Sequence, residues 1–396
     1  MNTPIVDFVT RYADSGALRF HMPGHKGKPF LGCEERDVTE IDGADVLYSP
    51  SGIIRESEDN ASALFGTAHT FYSTEGSSLA IKAMLALVAK SLPAKERPLI
   101  LAARNVHKAF VYASALLDLD VEWIYPDRGS HLCACPISPE TAERAILASL
   151  KKPTALYLTS PDYLGGIADV EAIAKVCHKH GVLLLVDNAH GAYLRFLSPS
   201  RHPIDLGADL CCDSAHKTLP VLTGGAYLHV SQNAPDGFVE AARSVLSLFA
   251  STSPSYLILQ SLDLCNRYLS QGYGERLAAC VGQIDALKKR LCAHGFSLPE
   301  TEPLKTVLAP RSFGYTGEEI AAHLRRNGME LEFCDADYAV LMLTPENTEE
   351  ELKRLGDALT VLPRRDPLPA SPALPCSSAE RVCSIRQAIL APAESV

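Results

Sequence analysis

No CxxC pair occurs in this chain, although 12 cysteines are scattered through its 396 residues. Thiols without ligand spacing read as free cysteines of a reducing compartment, not as a zinc or disulfide framework. The nearest approach to a ligand cluster, His131-Leu-Cys133-Ala-Cys135, has no matching second half, so no metal is expected. Cys211 and Cys212 read as small core residues of an apolar strand. Long hydrophobic runs are missing too. The longest, Leu79–Ala89, is interrupted by Lys82 and falls short of the roughly 20 residues that cross a bilayer. Positive charge is not in excess: 37 Lys and Arg against 47 Asp and Glu give a formal charge of −10. That argues against nucleic acid or an anionic membrane as principal partner. The opening residues have neither a basic n-region nor an apolar h-region, so no secretory signal is expected and the cytoplasm is the expected compartment.

A hydrophobic content of 47% over this length predicts a large core, with a main domain and a smaller one. Short apolar runs recur at Pro98–Ala103, Val121–Tyr125, Ala155–Thr159, Val182–Asp187, Leu210–Asp213 and Ala226–Val230. Amphipathic stretches such as Ser77–Lys90, Pro139–Leu150 and Val170–His180 lie between them. The alternation predicts an α/β fold with a mostly parallel sheet covered on both faces. Residues 235–296 read as helical. Beyond them, Leu304–Leu308, Gly317–Asn327, Leu331–Phe333, Ala339–Leu343 and Glu349–Leu362 predict a small α+β domain. The expected divisions are an N-terminal segment over 1–60, a large domain over 61–296, the small domain over 297–363 and a Pro-rich tail over 364–396.

The residues with the most chemistry are Asp213-Ser214-Ala-His216-Lys217, thirty positions after an apolar run that closes in Asp187. In parallel sheets, sites lie beyond the carboxyl ends of strands, where both segments fall. A lysine between an apolar strand and Thr-Leu-Pro-Val-Leu-Thr-Gly-Gly is poorly solvated, which lowers its basicity and favours imine chemistry. A carboxylate at the lip of a buried strand needs a cation, and a pyridinium N–H would satisfy it. Lysine and aspartate together are what pyridoxal phosphate (PLP) requires: an amine for its aldehyde and a carboxylate for its ring nitrogen. Gly76, Ser77 and Ser78 open a helix and offer N–H groups and hydroxyls to a phosphate. His107, after another strand end, can stack on a flat ring. The segment His21-Met-Pro-Gly-His25-Lys-Gly27 is either an anion-binding loop or a stiff entry to the domain.

Taken together, HMPGHKG from His21, Asp37–Asp45, the turn at 76–78, Arg104–Lys108, Asp187-Asn-Ala-His190, Ser214–Lys217 and Ser251-Thr-Ser-Pro-Ser-Tyr256 resemble the bacterial ornithine/lysine/arginine decarboxylases. These are fold type I PLP enzymes (aspartate aminotransferase-like), and the resemblance is to their compact form without an N-terminal wing. It implies decarboxylation of a basic amino acid to agmatine or a diamine, within polyamine metabolism, by a homodimer or an assembly of dimers. Lys217 would carry the cofactor, Asp187 would face its pyridinium and His107 would stack on the ring. Gly76, Ser77, Ser78, His190, Ser214 and His216 would complete the cofactor site, with Ser251 or Thr252 from a neighbouring subunit. Lys217 or His216 would reprotonate the α-carbon. Glu332, in Gly328-Met-Glu-Leu-Glu332-Phe, would receive the distal cation of the substrate. Two departures stand out. Gly224 occupies a position where the family usually has glutamine, and family members generally continue into a Pro- and Gly-rich closing segment that this sequence, ending at Val396, does not include. Other fold type I activities, or a catalytically weak PLP-binding descendant, are the alternatives.

Overall fold

The run Leu183–Asp187 carries no polar alternation because both of its faces are covered, and the same holds for Ala155–Thr159 beside it. The computed structural model describes residues 1–93, 96–127, 131–369, 371 and 381–392. Seven strands form the main sheet: β1 (His69–Ser73), β2 (Leu99–Ala103), β3 (Asp120–Ile124), β4 (Ala155–Thr159), β5 (Leu183–Asp187), β6 (Leu210–Asp213) and β7 (Ala226–Val230). Their order is β1-β7-β6-β5-β4-β2-β3. From β3 to β6 every pairing is parallel, while β7 runs antiparallel to both β6 and β1. The mostly parallel α/β architecture expected from the sequence is the one observed.

One face of the sheet packs on the helix Gly76–Lys90, which is apolar around nearly its whole circumference and accordingly buried. The other face packs on Pro139–Ala148 and Val170–Lys179. A second sheet, β8 (Lys305–Leu308), β9 (Phe333–Cys334) and β10 (Ala339–Met342), is antiparallel in the order β8-β10-β9. Its helices Gly317–Arg326 and Glu349–Thr360 both start with a capping box, Thr316/Glu319 and Thr348/Glu351. One apolar cluster joins this sheet to the long helix Tyr273–His294 and to the N-terminal helix Pro4–Asp14.

The sequence pattern did not signal β1 or the helices Ile53–Phe65 and Lys108–Leu116. The helix Ile53–Phe65 runs across residue 60, where a boundary was expected. Part of the Pro-rich tail, residues 370, 372–380 and 393–396, lies outside the described residues. Of the rest, Arg365 and Leu368 donate backbone N–H groups to the carbonyls of Phe313 and Arg311.

At the end of β6, Asp213 is wholly buried and takes four contacts. His202 Nε2 and His229 Nε2 each donate to Oδ2 at 3.0 Å, Asn188 donates to Oδ1 at 2.7 Å, and the Cys211 thiol lies 3.7 Å from Oδ1. Burial raises the affinity of this carboxyl for its proton, but the two imidazoles outweigh it and hold the group far below the usual range. Removing the acceptor leaves the Nε2–H groups of two buried imidazoles unpaired. Asp213→Ala is therefore expected to cost about 3–5 kcal/mol in urea unfolding. A loss under about 1 kcal/mol would show that the cluster is not the anchor described.

Candidate active site

Strands β2, β4, β5 and β6 end at one edge of the sheet, and β1, which is also parallel to them, ends there too. Each is followed by a turn that drops a side chain into the same space, a cavity of about 530 Å³. Its walls include Gly76, Ser77 and Ser78 after β1, His107 after β2, Asp187 and His190 from β5 onward, and Ser214, His216 and Lys217 after β6.

Lys217 sits in the single helical turn Ala215–Thr218, and its Nζ lies 3.0 Å from His190 Nε2. Burial lowers its basicity, against the pull of Asp187 and Glu332. Asp187 is buried with partners that carry no charge: the Tyr157 hydroxyl at 3.1 Å, the Ala189 N–H at 3.2 Å and the Cys212 thiol at 3.5 Å. Burial raises its pKa, opposed by His107 and Lys217. His107 caps the helix Lys108–Leu116 by accepting the Ala109 N–H on Nδ1 at 3.2 Å. Its proton therefore sits on Nε2, and burial favours the neutral ring. Ser214 donates to Ser77 at 2.8 Å, and His216 Nδ1 donates to the Gly225 carbonyl at 2.9 Å. Gly76, at φ 71°, turns the chain into its helix and gives its N–H to the Gly224 carbonyl at 2.7 Å. The first-turn N–H groups of Ser77 and Ser78 have no acceptor within the helix and point their partial positive charge outward.

Residues 3–308 match the Orn/Lys/Arg decarboxylase major domain. Among curated proteins, an uncharacterized protein of Bacillus subtilis (strain 168), YaaO, is 31% identical over 87% of this chain and 74% of its own length. The arginine decarboxylase of the same organism is 30% identical over 90% of this chain and 76% of its own. The chain belongs to the Orn/Lys/Arg decarboxylase family. Its fold is shared with the lysine decarboxylase LdcF of Francisella novicida, at a TM-score of 0.76, 18% identity and 91% of this chain. The chain spans about three-fifths of that protein, 59% of its length. Like others of the decarboxylase family, it is a PLP-dependent amino-acid decarboxylase. Its own residues fit the cofactor: a buried carboxylate with no cationic hydrogen-bond partner among the described residues, a poorly basic lysine, an imidazole that burial favours neutral and a helix N-terminus surround one cavity.

Glu332 stays out of the cavity wall, and Ser251 and Thr252, expected from a neighbouring subunit, lie outside this chain's own cavity. Ser251 gives its N–H to the Glu75 carboxylate at 2.7 Å, so its loop, with exposed Thr252, is held on the outside of the turn before Gly76. In this chain neither reaches the cavity. Glu332 is exposed and stands just before β9 instead of ending a strand. It lines a separate groove of about 460 Å³ along Gly328–Leu331. Tyr163 links the two spaces: it lines the cavity and donates its hydroxyl to Glu332 at 3.0 Å. That groove holds neither an amine nor a buried carboxylate, so the chemistry belongs to the first cavity.

The histidines of HMPGHKG are spent inside the N-terminal segment, His21 on the Tyr12 hydroxyl at 2.6 Å and His25 on Asp37 at 3.2 Å. Of the candidate metal cluster, His131 pairs with Asp335 at 2.9 Å, the Cys135 thiol meets the Ile124 carbonyl at 3.6 Å, and Cys133 lines the cavity.

Thr159, Tyr163 and Lys305 went unnoticed in the sequence. Thr159 lines the cavity with a hydroxyl that has no partner among the described residues, and it lies in register with Asp187. The strand-end rule that found Asp187 would have found it. Asp187→Asn keeps the shape and removes the charge. It is expected to weaken cofactor binding and lower turnover by about 10²–10³-fold. A rate near that of the unaltered enzyme would take Asp187 out of the site.

Proposed function

We propose that this enzyme removes the α-carboxylate of a basic amino acid, with arginine as first candidate, giving agmatine and CO2 for polyamine metabolism. The observation that carries the reading is the tie between cavity and acid: Tyr163 in the wall holds Glu332, a carboxylate for a distal cation, beside the space that Lys217 and Asp187 share. Lys217 would hold the cofactor through its amine, Asp187 would face the ring nitrogen and His107 would lie on the ring. The turn Gly76–Ser78, with Ser214 and His216, would take the phosphate, and His190 would brace Lys217. When bound, the cofactor accepts the electron pair left by the departing carboxylate.

The proton that replaces CO2 must come from a group in the wall. His216 and Lys217 both line the cavity and are the candidates. His216 gives its Nδ1–H to the Gly225 carbonyl, so its Nε2 delivers a proton only from the charged ring, and Lys217 only once its amine has taken up a proton. The low polarity around neutral His107 and His190 strengthens the remaining charge interactions on the substrate. The name of the Bacillus subtilis relative puts arginine ahead of lysine and ornithine. We also read the enzyme as a cytoplasmic homodimer. No helix among the described residues is long and apolar enough to cross a membrane. Leu18, Phe20, Phe30 and Leu31 are exposed together around the N-terminal loop, as a surface awaiting a second copy would be.

CO2 release from arginine, lysine and ornithine in parallel, with Lys217→Ala as blank, tests the reading. Release from one and none from the blank is expected; a tenth of the rate in Lys217→Ala, or silence on all three, would overturn it. Glu332→Gln should raise KM for the preferred substrate about tenfold or more while the cofactor absorbance band stays unchanged. An unchanged KM would remove Glu332 as the receptor.

A further inference from the structure

Behind His190 lies a buried cation with no role in the reading above. Lys305, on β8, is fully buried, and its Nζ reaches three acceptors: the carbonyls of Asp162 at 3.4 Å and Tyr163 at 3.2 Å, and His190 Nδ1 at 3.3 Å. An ammonium has three N–H donors and nothing to accept with, so these contacts use it completely. His190 Nδ1 must then present its lone pair, and the neutral ring carries its proton on Nε2. That nitrogen lies 3.0 Å from Lys217 Nζ. An N–H directed at an amine bonds to a lone pair, which a protonated amine does not have.

We propose that Lys305 is a positioning residue: acting through His190, it keeps the Lys217 amine unprotonated and ready to bond to an aldehyde. The mirror arrangement, with Lys305 neutral, the His190 proton on Nδ1 and Lys217 charged, has the same number of protons. Glu302 decides against it. Its buried Oε1 lies 4.0 Å from Lys305 Nζ and accepts no hydrogen bond among the described residues. Moving the charge to Lys217 would take from that carboxylate its leading cation, leaving it Lys288 and the Tyr193 hydroxyl and Leu304 N–H on Oε2. The other groups facing Lys217 are Asp187, Glu332, Cys212 and His107. The two carboxylates favour a charged amine, yet burial outweighs them and the basicity of Lys217 is lowered. His190 is held well below its ordinary pKa by burial first, then by Lys305 and Lys217. Both shifts agree with the bonding pattern, while burial also makes Lys305 less basic, opposed by Glu302 and Asp162.

The inference takes from the proposed function only the role of Lys217, and it can be tested without the cofactor. Trace labelling of the full chain, stripped of cofactor, with acetic anhydride across pH reads the midpoint at which Lys217 loses its proton. Exposed Lys175 serves as the internal reference for reagent and fold. Lys305→Met should move the Lys217 midpoint up by about one pH unit or more, a tenfold loss of free amine at neutral pH. His190→Phe should do the same, and the double variant should move it no further than either alone.

An unmoved midpoint in either single variant overturns the proposal. So does a double variant that shifts by the sum of the two, which would mean a through-space charge effect instead of a relay. If unpaired Glu302 prevents Lys305→Met from folding, Lys305→Met with Glu302→Gln takes its place in the same cycle. Failure of the cofactor reading would show separately, as an unchanged absorbance band in Lys217→Ala.

Discussion

The site depends on a carboxylate that does not face it. Asp213 ties the residue after Asp187, through Asn188, to the residues just before Ser214 and Lys217. The two chemical segments come from different strands, and a backbone ladder alone would let their turns drift. A buried charge with directional donors on every side fixes them. The same carboxylate reaches across β7 through His229, whose Nδ1 meets the Thr70 hydroxyl on β1 at 2.9 Å. The helix that begins at Gly76 follows β1, so the phosphate end of the cavity and its lysine end are referenced to one buried anion.

Most of the main sheet was legible because its strands obey simple burial rules. Runs such as Leu183–Asp187 are apolar throughout, and their helices show a clear 3.6-residue stripe. Strand β1 escaped because His69, Thr70 and Ser73 are polar yet buried. His69 meets Glu58 at 3.2 Å and Thr70 meets His229, partners that a hydrophobic pattern cannot reveal. The candidate site divides in the same way. Residues at strand ends in contiguous motifs, Asp187, Ser214 and Lys217, could be read directly. Lys305 could not, since nothing in Leu304-Lys-Thr-Val-Leu308 marks the lysine as turned inward; its partners are 115 and more positions away in the chain. Ser251 and Thr252 were read as reaching the site of a neighbouring subunit, and their place outside this chain's own cavity does not bear on that reading.

Charge is rationed around the cavity. His107 and His190 are pushed toward neutrality by burial, and the lysine between them is made less basic. Further out stand Glu332, just before β9, and the Lys305–Glu302 pair behind the wall, 4.0 Å apart, where burial works against both charges and each favours the other's. Both of these come from the second sheet or its approach, so the main sheet supplies the shape of the site while the smaller one supplies much of its electrical setting.

Gly224 bears on how this chain could change over generations. Its backbone sits at φ +100°, a side chain there would begin 3.0 Å from the Thr74 carbonyl oxygen, and its own carbonyl already receives the Gly76 N–H. Glutamine at this position would strain the turn and push on the loop that shapes the cavity's phosphate end. A side chain at 224 and the loop around it are therefore exchangeable only as a unit, and a single substitution at this glycine carries a conformational cost to the phosphate end.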